Sequence, residues 1–291
     1  MHILEGIIEN FGNIISFRLN IPQGEKLPGV IIQHGYSGCK EEYNELANVL
    51  AQNGFAVLQF DARGTGNSSG IKGNLLCSTE WIDDALAAVT YFRNLKEVDK
   101  NRLGFTGCSI GGATTIKMAA LDNRLSRVAS MAPFSNGEKL LKQNFKKNRS
   151  LKTFTDFQQD IYQKLNCRET AVKSDILVAD ALGFSAQDTN EYIKDRDLNP
   201  QMIRDVSALS VYNSFFIYRP EIYAAFVQIP TMILHGDNDT IVDFNQGKKM
   251  FALLKCKKEF VKLNGAPHNI PASKQRNIAF ENIVTWFKEM G

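Results

Sequence analysis

The sequence predicts an α/β protein built on an eight-stranded, mostly parallel sheet with an N-terminal antiparallel hairpin and a helical insertion. Three observations carry that expectation. Short apolar runs alternate with amphipathic helical segments, the chain starts with two β-rich segments around a turn, and one long stretch breaks the alternation. Apolar strands separated by helices imply a parallel sheet covered on both faces.

The elements follow in order. Ile3–Ile8 and Ile14–Asn20, on either side of Asn10-Phe11-Gly12-Asn13, read as the hairpin. Gly29–Gln33 is a short buried-strand signal ending at His34-Gly35. A helix is predicted near Glu41–Asn53, with Tyr43, Leu46, Ala47 and Leu50 on one stripe and Gly54 as its stop. Phe55–Phe60 gives the next strand and leads into Asp61-Ala62-Arg63-Gly64-Thr65-Gly66. Thr79–Arg93 is helical, with Ser78 or Thr79 as N-cap and Trp81, Ala85, Ala88, Val89 and Phe92 on one face. A strand at Arg102–Thr106, a helix at Gly112–Ala120 and a strand at Val128–Pro133 come next. After the break, Thr231–His235 resumes the rhythm. A helix at Phe244–Leu254, a strand at Glu259–Leu263 and a closing helix with Phe280, Ile283, Val284 and Phe287 on one stripe complete it.

The break spans residues 135–228 and is rich in charge and aromatics, among them Phe145, Phe154, Phe157, Phe184, Tyr192, Phe215 and Phe216. A structureless loop of that length is improbable, so a helical insertion is expected. It leaves just beyond the carboxyl end of a strand, the edge of an open α/β sheet where ligands bind. The expectation is a core of residues 1–134 and 229–291, with 135–228 as a lid over the site. A helical appendage packed away from the site is the alternative.

Composition narrows the function. At 291 residues, with 44% hydrophobic and 22% charged residues, the chain has the make-up of a soluble globular protein with a sizeable core. A net charge of +3 is too small to argue for nucleic acid or a membrane surface. The basic run from Lys139 through Lys146, Lys147 and Arg149 to Lys152 is interrupted by Phe145 and Leu151 and reads as a solvated helix face. Five cysteines without a C-x-x-C pair suit a reducing cytoplasm rather than a disulfide framework or a zinc site. No signal peptide or membrane-spanning run is apparent. No metal and no cofactor are expected: a metal-ligand cluster, a Walker loop and a dinucleotide fingerprint are all missing from the sequence.

The chemistry centres on Gly107-Cys108-Ser109-Ile110-Gly111, a G-x-S-x-G pentapeptide between a strand and a helix. Such a turn strains the serine and needs glycines for close approach, and it pushes the hydroxyl out at the top of the sheet. A serine needs a base within reach. Of four histidines, His2 is terminal, while His34 and His235 each end a strand before a glycine and suit structural roles. His268, in Gly265-Ala266-Pro267-His268-Asn269 after the last strand, emerges at the same sheet edge as the serine and is the candidate base. The loop after Leu234-His235 offers Asp237, Asp239 and Asp243 to orient the imidazole. Asp239 is the candidate, with Asp237 as the alternative, more suited to an Asx-type bond that shapes the turn. The amides of Ile110, at a helix N-terminus, and Tyr36, in the glycine-bearing loop after Gln33, are the candidate oxyanion donors.

His34-Gly35-Tyr36-Ser37-Gly38, Asp61-x-Arg63-Gly64-x-Gly66-x-Ser68, Gly107-x-Ser109-x-Gly111-Gly112, His235-Gly236-x-x-Asp239 and Gly265-x-x-His268 together resemble the successive motifs of the α/β-hydrolase superfamily. The pattern is most similar to its capped esterase and serine-aminopeptidase-like branch, which includes cinnamoyl and feruloyl esterases. The resemblance implies Ser109 as nucleophile, His268 as base, Asp239 as orienting acid, and Tyr36 and Ile110 as oxyanion donors. Cys108 and Thr65 depart from it, since histidine is frequent at both positions.

Cys108 is expected to be a packed thiol beneath the turn, and Cys39 to be exposed enough to oxidise. Asp61 and Arg63 suggest a loop-stabilising ion pair. The function expected is cleavage of a small-molecule carboxylic ester through an acyl-enzyme. Thioesterase and aminopeptidase or amidase are the catalytic alternatives. For the last, Glu169, Asp175, Asp180, Asp188, Glu191, Asp195 and Asp197 are candidates to hold a substrate amine. A hydrolase fold kept only for ligand binding is the non-enzyme alternative.

Overall fold

A computed structural model describes residues 1–147, 153–167, 171–173 and 197–290. Arg149, Leu151, Lys152, Glu169, Asp175, Asp180, Phe184, Asp188, Glu191, Tyr192 and Asp195 lie outside the described residues.

The N-terminal strands β1 (His2–Asn10) and β2 (Asn13–Ile21) form the predicted hairpin, Asn10 facing Asn13 across the turn. Six further strands complete the main sheet: β3 (Leu27–Gln33), β4 (Ala56–Phe60), β5 (Val98–Cys108), β6 (Arg127–Met131), β9 (Thr231–Gly236) and β10 (Lys258–Leu263). Their order is β1-β2-β4-β3-β5-β6-β9-β10, and every pair from β4 onward is parallel. The strand count and hairpin expected from the sequence are therefore both present. So are the burial patterns: β4 and β6 are buried at every position, as strands covered on both faces must be.

Helices cover the two faces. On one lie α1 (Asn44–Gln52) and the closing helix α9 (Arg276–Lys288), whose Leu46, Leu50, Phe280, Ile283 and Phe287 pack with Val30 and Ile32. On the other lie α2 (Glu80–Arg93) and α3 (Ile110–Leu121), whose Trp81, Val89, Phe92 and Ile116 pack with Ile31 and Phe105. The helix expected near Glu41–Asn53 is divided: Lys40–Tyr43 is a 3-10 turn that leads into α1. Thr79 stands at the N-cap position of α2 but makes no cap bond with its side chain. Instead Asn213 bridges this corner, accepting from Ser78 N at 2.8 Å and Ser78 Oγ at 2.9 Å and donating to Thr79 Oγ1.

Between β6 and β9, the described residues form α4 (Gly137–Lys147), α5 (Phe154–Cys167), a two-stranded pair of β7 (Ala171–Lys173) and β8 (Asp205–Ser207), α6 (Ala208–Val211) and α7 (Glu221–Ala224). The described residues of this segment are mainly helical. The β7–β8 pair is not foreseen, because three-residue strands are too short for alternation to register. Phe145, Phe157, Phe215, Phe216 and Tyr218 join the core cluster of the α2–α3 face. No described helix is long and apolar enough to cross a membrane.

Candidate active site

Ser109 joins β5 to α3 with φ 59° and ψ −118°, a conformation that non-glycine residues rarely hold. Its amide donates to Met131 O of β6 at 3.0 Å, and its carbonyl accepts from Ala113 N at 2.8 Å, the first turn of α3. The flanking glycines are required by closeness, not by φ. A methyl at Gly107 would sit 2.6 Å from Gln33 O, and one at Gly111 would overlap the same carbonyl. Strand β3 thus presses on the turn from one side and β6 anchors it from the other.

His268 lies in the loop after β10, with Nε2 2.9 Å from Ser109 Oγ and Nδ1 2.8 Å from Asp239 Oδ2. His268 and Asp239 are nearly buried, at 8% and 7% exposure. A carboxylate can only accept from Nδ1–H, so Nε2 is left with a lone pair facing the serine hydroxyl. Asp239 Oδ1 accepts from Ile241 N at 2.9 Å and Val242 N at 2.8 Å. Burial opposes its ionisation, but His268 and then His235 hold the carboxyl well below the usual carboxylate range.

The other acids of this loop face elsewhere. Asp237 accepts from Gly265 N at 2.6 Å and pairs with Lys262 Nζ at 2.9 Å. It ties two loops together rather than making the local Asx bond expected of it. Asp243 caps α8 (Phe244–Leu253) by accepting from Asn245 N at 2.9 Å.

The loop after β3 lies against the nucleophile: a methyl at Gly35 would be 3.8 Å from Ser109 Cβ. His34 shapes it from below. Its Nδ1–H donates to Gly35 O at 2.8 Å and its Nε2 accepts from Ala62 N at 3.0 Å, which fixes the neutral tautomer. Burial lowers its pKa against the pull of Asp61, in keeping with the structural role expected of this residue. Ile110 is the first residue of α3, where an amide has no acceptor within its own helix. Tyr36 packs its ring on Phe215, with centroids 4.9 Å apart, and its hydroxyl is 2.7 Å from Ser210 Oγ of α6. Ser37, at φ 59°, accepts at its carbonyl from Ile203 N at 2.8 Å.

The family model described as serine aminopeptidase, S33 (Hydrolase_4), matches residues 25–275. The chain belongs to this family. A 31.7 kDa Escherichia coli protein encoded between traX and finO is 25% identical over 240 residues, covering 81% of this chain and 82% of that protein. Thiohydrolase aneE of Aspergillus aculeatus is 34% identical over 107 residues, covering 36% of this chain and 34% of that protein. Among solved structures, Est1E of Butyrivibrio proteoclasticus with ferulic acid bound superposes with a TM-score of 0.71 at 20% identity, over 98% of each chain. The protein is an α/β hydrolase.

Several expectations about this S33-family site need correction. Asp61 and Arg63 are not partners. Asp61 Oδ2 is 2.8 Å from Lys40 Nζ, with both side chains fully buried, and Arg63 Nε pairs with Asp84 Oδ1 at 2.7 Å. Two residues apart at a strand end, they leave in different directions: Asp61 toward the loop after β3, Arg63 toward α2. Cys39 is fully buried, and burial followed by Glu42 and Glu41 pushes its thiol pKa up, so the surface needed for ready oxidation is missing. Cys108 is the packed thiol expected, with Sγ 3.6 Å from His268 O. Lys40, Asp84 and Ser210 escaped the sequence reading. The only signal for Lys40 was an aspartate at a strand end in want of a cation.

Proposed function

We propose that the protein is a serine hydrolase of carboxylic esters, working through an acyl-enzyme. The observation that carries this reading is the line Ser109–His268–Asp239, with links of 2.9 and 2.8 Å on a serine held at φ 59°. Ser109 Oγ attacks the acyl carbonyl while His268 Nε2 takes the proton, and Asp239 holds the imidazole and offsets its positive charge. The amides of Ile110 and Tyr36 receive the oxyanion. Collapse of the tetrahedral intermediate expels the alcohol, which takes its proton from His268. Water, activated by the same ring, then releases the acid.

Residues 135–228 serve as the lid in this reading. Its support is the contact that Ile203, Ser210 and Phe215 make with Tyr36 and Ser37, the loop beside the nucleophile. Aromatic side chains around that contact (Phe134, Phe215, Tyr218) favour an apolar acyl or aryl group, and the likeness to a structure holding ferulic acid agrees. Free thiols at Cys39, Cys77, Cys108 and Cys256 support a reducing, cytoplasmic setting. The likeness to aneE supports a second reading, the same acyl transfer on a thioester.

Labelling by a fluorophosphonate, with and without Ser109→Ala, tests the nucleophile. The substitution is expected to abolish labelling and to lower ester turnover by about five to six orders of magnitude. Labelling that survives it overturns the reading. Parallel turnover of nitrophenyl esters, acyl-CoAs and aminoacyl nitroanilides separates ester from thioester and amide substrates.

A further inference from the structure

His235 ends β9 with its side chain fully buried, and the acyl-transfer chemistry above makes no use of it. Its Nε2 is 2.9 Å from Val242 O and 3.2 Å from Asp239 Oδ2. Val242 O accepts only, so Nε2 must carry the hydrogen. Nδ1 meets no hydrogen-bond partner among the described residues and faces Gly247 of α8, where a methyl would overlap it. The surroundings therefore require a hydrogen on Nε2 and offer Nδ1 no partner.

Two imidazoles thus converge on one carboxylate oxygen, since Asp239 Oδ2 also lies 2.8 Å from His268 Nδ1. The loop between them is closed on itself. Val242 donates its amide to Asp239 Oδ1 and offers its carbonyl to His235, so both peptide groups of one residue are spent on holding the acid in place. Phe244, edge-on to the His235 ring at a centroid distance of 5.7 Å, and Gly247 block the ring from turning away.

We propose that His235 is a positioning residue for the acid: its Nε2–H, shared between Val242 O and Asp239 Oδ2, fixes the carboxylate toward His268 and draws off part of its charge. The inference rests on the Ser109–His268–Asp239 reading. A shared acceptor oxygen gives less of its lone-pair density to each donor, so His235 tempers the pull of Asp239 on His268. The titratable groups facing the pair are His268, from the loop after β10, and Cys108 at the end of β5, whose thiol burial and Asp239 keep protonated. On α8, the Lys248 ammonium lies 4.8 Å from the Phe244 ring centroid, while Asp243 faces Lys147.

The test compares His235→Leu, which removes the donor, with His235→Gln, which restores an N–H at a similar reach. Wild-type labelling by a fluorophosphonate that depends on Ser109 must be established first, so that failure of the nucleophile reading is seen separately. Using a nitrophenyl ester, His235→Leu is expected to lower kcat roughly tenfold with KM unchanged, through loss of orientation. The acid limb of its pH–rate profile should move up by about half a pH unit, because Asp239 then pulls on His268 alone. His235→Gln should recover most of both effects. A folded His235→Leu protein with wild-type kcat and pH limb overturns the proposal, as does a glutamine variant no better than leucine. If the leucine variant does not fold, nitrogen NMR of the wild-type histidines decides. His235 must show the Nε2–H tautomer throughout the titration of His268, and an Nδ1–H tautomer or an imidazolium there sinks the idea.

Discussion

Two loops meet at Ser109, and they are secured by different means. On the acid–base side, Asp239 and His268 follow adjacent parallel strands, and Asp239 is held by near neighbours in sequence: Ile241, Val242 and His235. On the oxyanion side, the loop after β3 is held from far along the chain. Asp61 reaches Lys40 across 21 residues and Ser210 reaches Tyr36 across 174. The proposed acid is thus fixed by short-range bonds, and the loop proposed to receive the oxyanion also by a bond from the distant 135–228 segment. Damage to the first side should appear in rate with little loss of fold; damage to the second should appear in stability and in coupling to the 135–228 segment.

The largest effect expected tests the first side. Asp239→Asn should lower kcat about 10³- to 10⁴-fold by presenting the wrong partner to His268, with the fold retained. Its stability has a definite sign with pH. The native carboxyl titrates below its unfolded value, so its stabilisation is complete above about pH 4 and is lost as pH falls through the lower native value. The gap in Tm between wild type and Asp239→Asn should therefore narrow below about pH 4; a gap that widens there contradicts the assignment.

Lys40→Met tests the second side. Burial works against the ammonium, yet Asp61 and Glu41 hold its pKa above the ordinary range, so removing it strands a buried carboxylate. The expected cost is about 3–5 kcal/mol in urea unfolding, partly recovered by adding Asp61→Asn. A cost under about 1 kcal/mol would mean that the pair does not hold this loop.

Ser210→Ala is the smallest and the sharpest. Loss of one partner for the Tyr36 hydroxyl should cost about 1 kcal/mol. If the 135–228 segment is coupled to the loop after β3 as described, fluorophosphonate labelling of Ser109 slows several-fold with the Tm little changed. Unchanged labelling would separate the 135–228 segment from the loop after β3.

The contrast also explains how much could be read in advance. The sheet was legible because buried parallel strands need unbroken apolar runs, and the elbow because only glycine fits between Gln33 O and the turn. The position of His268 beside Ser109 was legible from its place after the last strand. Asp239 stood against Asp237 in the sequence, and geometry alone separates them: Asp237 turns back to Gly265 while Asp239 turns to His268. What escaped was pairing across long separations. Asp61 and Arg63 look like partners because they are neighbours, yet Lys40 and Asp84 claim them. Cys39 looked exposed because nothing local shows that Glu42 folds over its amide at 2.8 Å and closes the turn.

The elbow draws on three strands that are remote from one another along the chain. It sits on β5, is pressed by Gln33 of β3, and hangs its amide on Met131 of β6. A ribosome-bound chain that has not yet joined residue 131 to the sheet therefore has no mould for a serine at φ 59°, and without β9 and β10 it has no imidazole beside it. If Ser109 is the nucleophile proposed, its covalent reactivity is for this reason a property of the finished sheet. A pulse of acylating probe during refolding would report the arrival of the native topology, strand by strand, through one side chain.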